Sequence, residues 1–350
     1  MALTPELQAQ LDEQKKQCVF CKIIAQEIPA KVVFEDDKTI ALLDIYPAVK
    51  GHTLYLPKEH YPLLPYVPPD ECAYFFGLLP RLSQAITESM VTTALNIFIT
   101  NGNIAGQQAP HFLLHILPRE AGDSFFHFLL PSKGKKLSEK EQQFLTQNFP
   151  LLMRDHFSKN KLSWHSGAGT IPAFLEKTSH NSIVLYEDEK VLVLLAEPAA
   201  VPGQIDIYSK QEGYSFEKLP AEDAVHLFTV ASAAASLVFQ ALSAQGTNII
   251  LRSGKTDDHP SGRVCLQVLP RKQDDGLQEL LWKPKPPSYN LDSIVSKIKD
   301  KTWKVKLDQA ESGENKVLLK PEIIKIIGAK PAERSLSTTE EIRKAIEKVR

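Results

Sequence analysis

Four cysteines among 350 residues are too few to staple a chain of this length, so a disulfide scaffold is excluded. The N-terminus lacks a basic region followed by an apolar core and a small-residue cleavage site, and no apolar run stands out as approaching the ~18 residues that cross a bilayer. A secretory leader and a membrane anchor are therefore not expected, and the chain reads as soluble and cytoplasmic. Charge of one sign is also missing, with 41 Lys+Arg against 42 Asp+Glu. Without a basic excess or an aromatic-basic pattern, nucleic acid is not an expected partner. The balance is uneven, however. Residues 282–350 carry 16 Lys/Arg against 10 Asp/Glu, a net of +6, and leave −7 on residues 1–281.

What is present is ordinary globular composition, 43% hydrophobic and 24% charged, in a length that holds two or three domains. It also contains a repeat. A shift of 152 positions lays Val-Val-Phe-Glu-Asp-Asp-Lys (32–38) over Val-Leu-Tyr-Glu-Asp-Glu-Lys (184–190). The same shift matches Gly51 to Gly203, Lys58 to Lys210, Pro68 to Pro220, Asn96 to Asn248 and Gly102 to Gly254. It closes with Leu117-Pro118-Arg119 over Leu269-Pro270-Arg271, which makes 88 residues without a gap.

Each copy predicts a small α+β unit. A Glu-Asp turn between β-rich runs (32–44) and a strand after a glycine (51–57) form an antiparallel meander. A helix opens at Pro68-Pro69-Asp70 and presents Tyr74, Phe75, Leu78, Leu82 and Ile86 on one face; its counterpart runs from Pro220 through Leu227, Val230, Ala234 and Val238. Two strands, 96–100 and 111–117, complete the unit. Between the copies, residues 120–165 are polar, with a helix from Ser138 whose spacing to Glu141 is that of a capping box. After Leu281, Lys-Pro-Lys-Pro-Pro predicts a stiff linker, and a last helix is expected near Thr338.

The chemistry concentrates in copy one. On an extended strand, His111, Leu113 and His115 share one face. Ala105-Gly106-Gln107 upstream forms a tight turn able to offer backbone N–H groups to an anion. Cys18 and Cys21 make a C-x-x-C, which in a reduced compartment reads as metal binding or redox.

Cys18-Val-Phe-Cys21, Leu43-Asp44-Ile-Tyr-Pro, Gly51-His-Thr-Leu-Tyr-Leu-Pro-Lys-Glu-His60 and Ala105-Gly-Gln-Gln-Ala-Pro-His111-Phe-Leu-Leu-His115-Ile-Leu-Pro-Arg119 together resemble the histidine triad (HIT) family. That resemblance implies a catalytic His-x-His-x-His in which the middle histidine attacks the α-phosphate of a nucleotide. The middle position here is Leu113, which has no lone pair, so the nucleophile is missing. The resemblance places Cys18, Cys21, His60 and His111 at the ligand positions of a zinc site. It places Gln107 and His115 in the nucleotide pocket, with His52 packing beside them. Asp44 matches a ribose-binding aspartate, and equally suits the turn before Pro47. Thr100 stands where the family has asparagine, which puts the phosphate end of the pocket in doubt. In copy two the triad positions hold Arg263, Cys265 and Gln267, and Asp44, His52 and His60 become Ala196, Gln204 and Glu212. Cys265 reads as a small buried hydrophobe rather than a nucleophile.

The expected architecture is α+β: two HIT-like domains forming an intrachain pseudo-dimer, with domains at 1–125 and 166–281, a linker with a helix at 126–165, and a linker and small basic C-terminal segment at 282–350. The expected function is binding of a purine nucleotide or nucleotide sugar, with structural zinc and without nucleotidyl transfer. Two alternatives are a residual nucleotide hydrolase or transferase and an interaction scaffold that recruits a protein through the basic segment.

Overall fold

The structure, a computed structural model, describes residues 12–131, 136–160, 170–180, 182–213 and 215–307. The helix expected near Thr338 lies outside the described residues. Copy one contributes strands β1 (Val32–Glu35), β2 (Thr39–Leu43), β3 (Thr53–Pro57), β4 (Ala94–Asn101) and β5 (Leu114–Arg119). Its helices are α1 (Val19–Ile24) and α2 (Pro69–Met90). A connecting helix α3 (Glu139–Asn160) leads to copy two, with α4 (Ala173–Ser179), β6 (Ile183–Glu187), β7 (Val191–Leu195), β8 (Ile205–Ser209), α5 (Ala221–Ala241), β9 (Gly246–Ser253) and β10 (Cys265–Arg271). A final helix, α6, covers Leu291–Thr302.

All ten strands form one antiparallel sheet in the order β1-β2-β3-β5-β4-β9-β10-β8-β7-β6, a palindrome about the β4–β9 pair. Across that pair Phe98 faces Ile250, its own equivalent in the repeat, while Asn96 faces Arg252 and Thr100 faces Asn248. A two-fold axis thus passes between Phe98 and Ile250. On the helix side the same axis passes between Phe76 and Phe228, again equivalents, whose rings stack at 4.3 Å with 7° between planes. Stacking of this kind is worth about 0.5–1.5 kcal/mol beyond burial of the rings. The two copies are joined as an intrachain pair through the long helices and a central strand.

The main core lies between α2, α5 and one face of the sheet. The other face carries three smaller clusters: Val19 and Ile23 of α1 over Leu42 and Leu56, Leu175 of α4 over Leu192 and Leu194, and a central group on the axis that includes Phe98, Leu117, Phe125, Phe128 and Leu280. Beneath the central group the repeat continues past Arg119. Arg119 donates to Asn96, Asp123 and the Phe125 carbonyl, and Arg271 donates to Asn248, Asp275 and the Leu277 carbonyl, each partner displaced by the same 152 positions.

Two elements differ from expectation. Helix α5 is long and apolar enough to cross a bilayer by composition alone, but it packs as the core helix of copy two, with Ala224, Leu227, Phe228, Val230, Ala231 and Val238 buried. Helix α6 lies just beyond the proline linker, in the small C-terminal segment for which only the helix near Thr338 is expected. Asn290 caps it by accepting from the backbone N–H groups of Asp292 and Ser293, and Ile294 and Ile298, one turn apart, bury against copy one. Elsewhere local expectation holds: Pro69 opens α2 with Asp70 and Glu71 in its first turn. The Ser138 and Glu141 capping box closes reciprocally at 3.0 and 3.3 Å.

Candidate functional site

Cys18 is the N-cap of α1 and Cys21 lies within it, the loop after β3 carries His60, and the segment leading into β5 carries His111; all four meet at the end of β3. Cys18 Sγ lies 3.5 Å from His111 Nδ1, and Cys21 Sγ lies 3.2 Å from His60 Nδ1 and 3.6 Å from His111 Nδ1. The four donor atoms fall within 4.8 Å of one another and could hold a metal ion. His111 is 1% exposed, and its Nε2 donates to the Pro57 carbonyl at 2.9 Å, which fixes the tautomer and turns the Nδ1 lone pair toward the thiols. The two thiols share one hydrogen bond, which pulls Cys18 well below the usual thiol range and pushes Cys21 above it.

Strand β5 begins at Leu114, so His111 and Leu113 precede the ladder. The alternation still holds: Phe112, Leu114 and Ile116 enter the helix-side core, while Leu113 packs against the α1 cluster on the opposite face. Leu113 thus joins the apolar cluster that also holds Val19 and Ile23 of α1.

On the inner side of Leu113 lie Asp44, His52 and His115. His52 Nδ1 accepts the backbone N–H of Ala48 at 3.2 Å, so its proton sits on Nε2, 2.9 Å from His115 Nδ1. His115 accepts there and keeps its own proton on Nε2. Burial pushes both imidazoles down to about 3, with His52 further lowering His115. The pair is neutral at physiological pH. Asp44 accepts from Tyr46 N–H at 2.7 Å, as a turn residue does, and its second oxygen is 3.5 Å from His52 Nδ1. Because that nitrogen already accepts from Ala48, the contact is not an ion pair. Burial raises the Asp44 carboxyl. These three residues also have their donor atoms clustered, but the direct imidazole–imidazole hydrogen bond accounts for the facing nitrogens.

Gln107 spends its amide within its own loop: it accepts from Gly102 N–H and donates to the carbonyls of Pro62 and Ala109. Trp282, which the sequence reading passed over, stands edge-on to both His52 and His115. No local pattern marks it; only the path of the chain after copy two brings it there. Two clefts of about 380 and 920 Å³ lie where α2 meets the 211–221 region of copy two, and none of these residues lines them.

In copy two the corresponding face is a closed polar cluster. Gln204 accepts from Ala200 N–H as His52 accepts from Ala48, then donates to Asp206, which also accepts from Gln267. Cys265 is 4% exposed, and burial, with Asp206 next in weight, pushes its thiol far up, out of the nucleophilic range. Arg263, at the position of His111, lies 5.0 Å over the Phe174 ring and donates to the Phe174 carbonyl.

A ten-stranded sheet built from two equivalent halves, with a histidine-bearing strand beside a Cys₂His₂ cluster in one half and a different polar cluster in the other, defines a tandem protein of two diverged copies. The HIT domain model matches residues 25–122, within copy one. Over 107 residues the chain is 45% identical to an uncharacterized HIT-like protein of Methanocaldococcus jannaschii, covering 30% of this chain and 81% of that protein. It is 41% identical over 106 residues to an adenylylsulfatase of Arabidopsis thaliana, covering 30% of this chain and 54% of that protein, little more than half its length. The chain belongs to the HIT family. A solved ADP-glucose phosphorylase of Arabidopsis thaliana, with ADP-glucose bound, superposes with a TM-score of 0.50 over 81% of this chain and 90% of that one; at 16% identity it speaks for the fold alone, over a span larger than copy one.

Proposed function

We propose that copy one is a zinc-stabilised nucleotide-binding unit that has lost nucleotidyl transfer, and that copy two is its structural partner. The observation that carries the reading is Leu113 between His111 and His115. A side chain without a lone pair cannot form a nucleotidyl intermediate, whatever its surroundings. His115, His52 and Asp44 then serve a pocket for a purine nucleotide or nucleotide sugar, in keeping with a relative named for adenylyl chemistry. In this reading Gln107 shapes the phosphate end by holding its loop.

The donor set suits zinc. Tetrahedral zinc with ordinary Zn–S and Zn–N bonds separates S from N by about 3.5 Å, and the S···N distances here are 3.5, 3.2 and 3.6 Å. Four protein ligands leave no open position, so the metal would anchor α1 rather than activate water. We propose the division 1–125, 126–165, 166–281 and 282–350, with residues 282–307 packed against copy one. An interaction role for the basic segment is therefore tested by truncation after residue 307, since removal of 282–307 would strip α6 and Trp282 from copy one.

The test is melting of the full chain with millimolar AMP or ADP-glucose, alongside hydrolysis of adenosine 5′-phosphoramidate. Ligand at 100 times Kd contributes about 2.7 kcal/mol. A rise in melting temperature that His115→Ala removes, with hydrolysis at the uncatalysed rate, is the expected result. Hydrolysis by the unmodified chain that His115→Ala removes would refute the loss of catalysis, and no shift with either ligand would refute the pocket.

A further inference from the structure

Two consecutive residues of the chain's own C-terminal segment cover both halves of the copy-one pocket. Leu281 seats its methyls on the Ala105-Gly106-Gln107 turn so closely that a Cβ on Gly106 would lie 2.4 and 2.6 Å from them, and Gly106 adopts φ +93. Only glycine suits that position on both counts. Trp282 sets its indole 5.2 Å from the His52 ring at 81° and 5.4 Å from the His115 ring at 88°. Any ligand reaching His115 through that side meets the indole first.

The segment is held at both ends. Leu280, just before it, is 2% exposed in the central cluster. Beyond it, Asn290 caps α6, whose Ile294 and Ile298 are buried, and Thr302 Oγ1 donates to the Val33 carbonyl at 2.6 Å. The intervening Lys283-Pro-Lys-Pro-Pro run is largely exposed and proline-stiffened. It makes no ladder that would lock it shut.

We propose that residues 281–290 form an occluding strap, and that a nucleotide enters the copy-one pocket only when Leu281 and Trp282 lift from Gly106, His52 and His115. This rests on the reading of copy one as a nucleotide pocket. A strap closed about 99% of the time weakens apparent affinity roughly 100-fold, so its removal is measurable.

AMP is titrated calorimetrically into the full chain and into Leu281→Ala/Trp282→Ala. In parallel, Trp282 emission and acrylamide quenching are followed in a Trp164→Phe/Trp303→Phe chain, which keeps the strap intact and leaves Trp282 as the single indole. The expected result is at least tenfold tighter AMP binding by the double-alanine variant, with red-shifted, more quenchable Trp282 emission when AMP binds the strap-intact chain. Equal affinity with unmoved Trp282 emission overturns the strap and leaves the pocket standing. Weaker binding by the variant makes Trp282 a wall of the site and also overturns it. No AMP binding by either chain overturns the pocket reading and the strap together.

Discussion

The two copies solve one structural problem with different chemistry. Each must fasten a short N-terminal helix, α1 or α4, to the segment that leads into its inner strand. Copy one brings two thiols and two imidazoles together at metal-ligand spacing; copy two puts Arg263 where His111 stands and clamps Phe174 of α4 through its ring and carbonyl. The neighbouring face diverges in the same direction. Copy one keeps a neutral imidazole pair with a half-buried carboxylate beside it, whereas copy two ties Gln204, Asp206 and Gln267 to one another. The site face thus differs between copies while the scaffold is shared: Arg119 and Arg271 hold equivalent asparagines and aspartates, and Phe76 stacks on Phe228.

The comparison is broken most strongly by removing the metal. If zinc is bound at 1,000 times Kd, its loss costs about 4.1 kcal/mol, and at roughly 2–4 °C per kcal/mol the chelated chain should melt about 8–16 °C lower. Calorimetry with and without a chelator checks this; an unchanged melting temperature would show that α1 holds without metal. Next in size, Phe76→Ala and Phe228→Ala should each cost about 3–5 kcal/mol by denaturant unfolding. Their near equality is the sharper outcome, since the two-fold axis runs between the rings.

Acid should act mainly through copy one, although burial also lowers His156 and His259. His52 and His115 are neutral, with folded values pushed down to about 3 from an ordinary value of 6.5. The unfolded chain binds the extra protons, so stability is full above pH 6.5 and falls as pH drops toward 3, by up to about 2 kcal/mol per histidine at pH 5. A His52→Gln variant, which borrows the copy-two solution, should flatten that slope in unfolding measured from pH 7 to 5. The smallest effect is expected from Arg263→Ala, about 1–3 kcal/mol, since it removes one cation–π contact and one hydrogen bond. A larger loss than that from metal removal would invert the comparison.

Much of this was legible in the sequence. The 152-residue shift set the equivalent strands of the two copies over one another, and the resemblance to the HIT family pointed to Cys18, Cys21, His60 and His111, which converge in space. Capping at Ser138 and the start of α2 followed local rules. What stayed hidden depends on contacts distant in sequence. Gln107 has the right identity for a phosphate contact, but its partners Gly102, Pro62 and Ala109 appear only once the loop folds. Arg263 looked like simple loss of a ligand because its partner Phe174 is 89 residues away. The Pro-rich stretch after Leu281 read as a linker, although Asn290 with Ile294 and Ile298 carried a short helix signal. Nothing local could place Trp282 against His115.

Metal content per chain, measured on metal-replete protein and on its Cys18→Ser/Cys21→Ser variant, tests the asymmetry most directly. One zinc per chain, absent from the variant, is predicted, because copy two has Arg263 and Glu212 where copy one has His111 and His60. Two zinc ions per chain, none in the wild type, or one that survives loss of both cysteines would contradict the account.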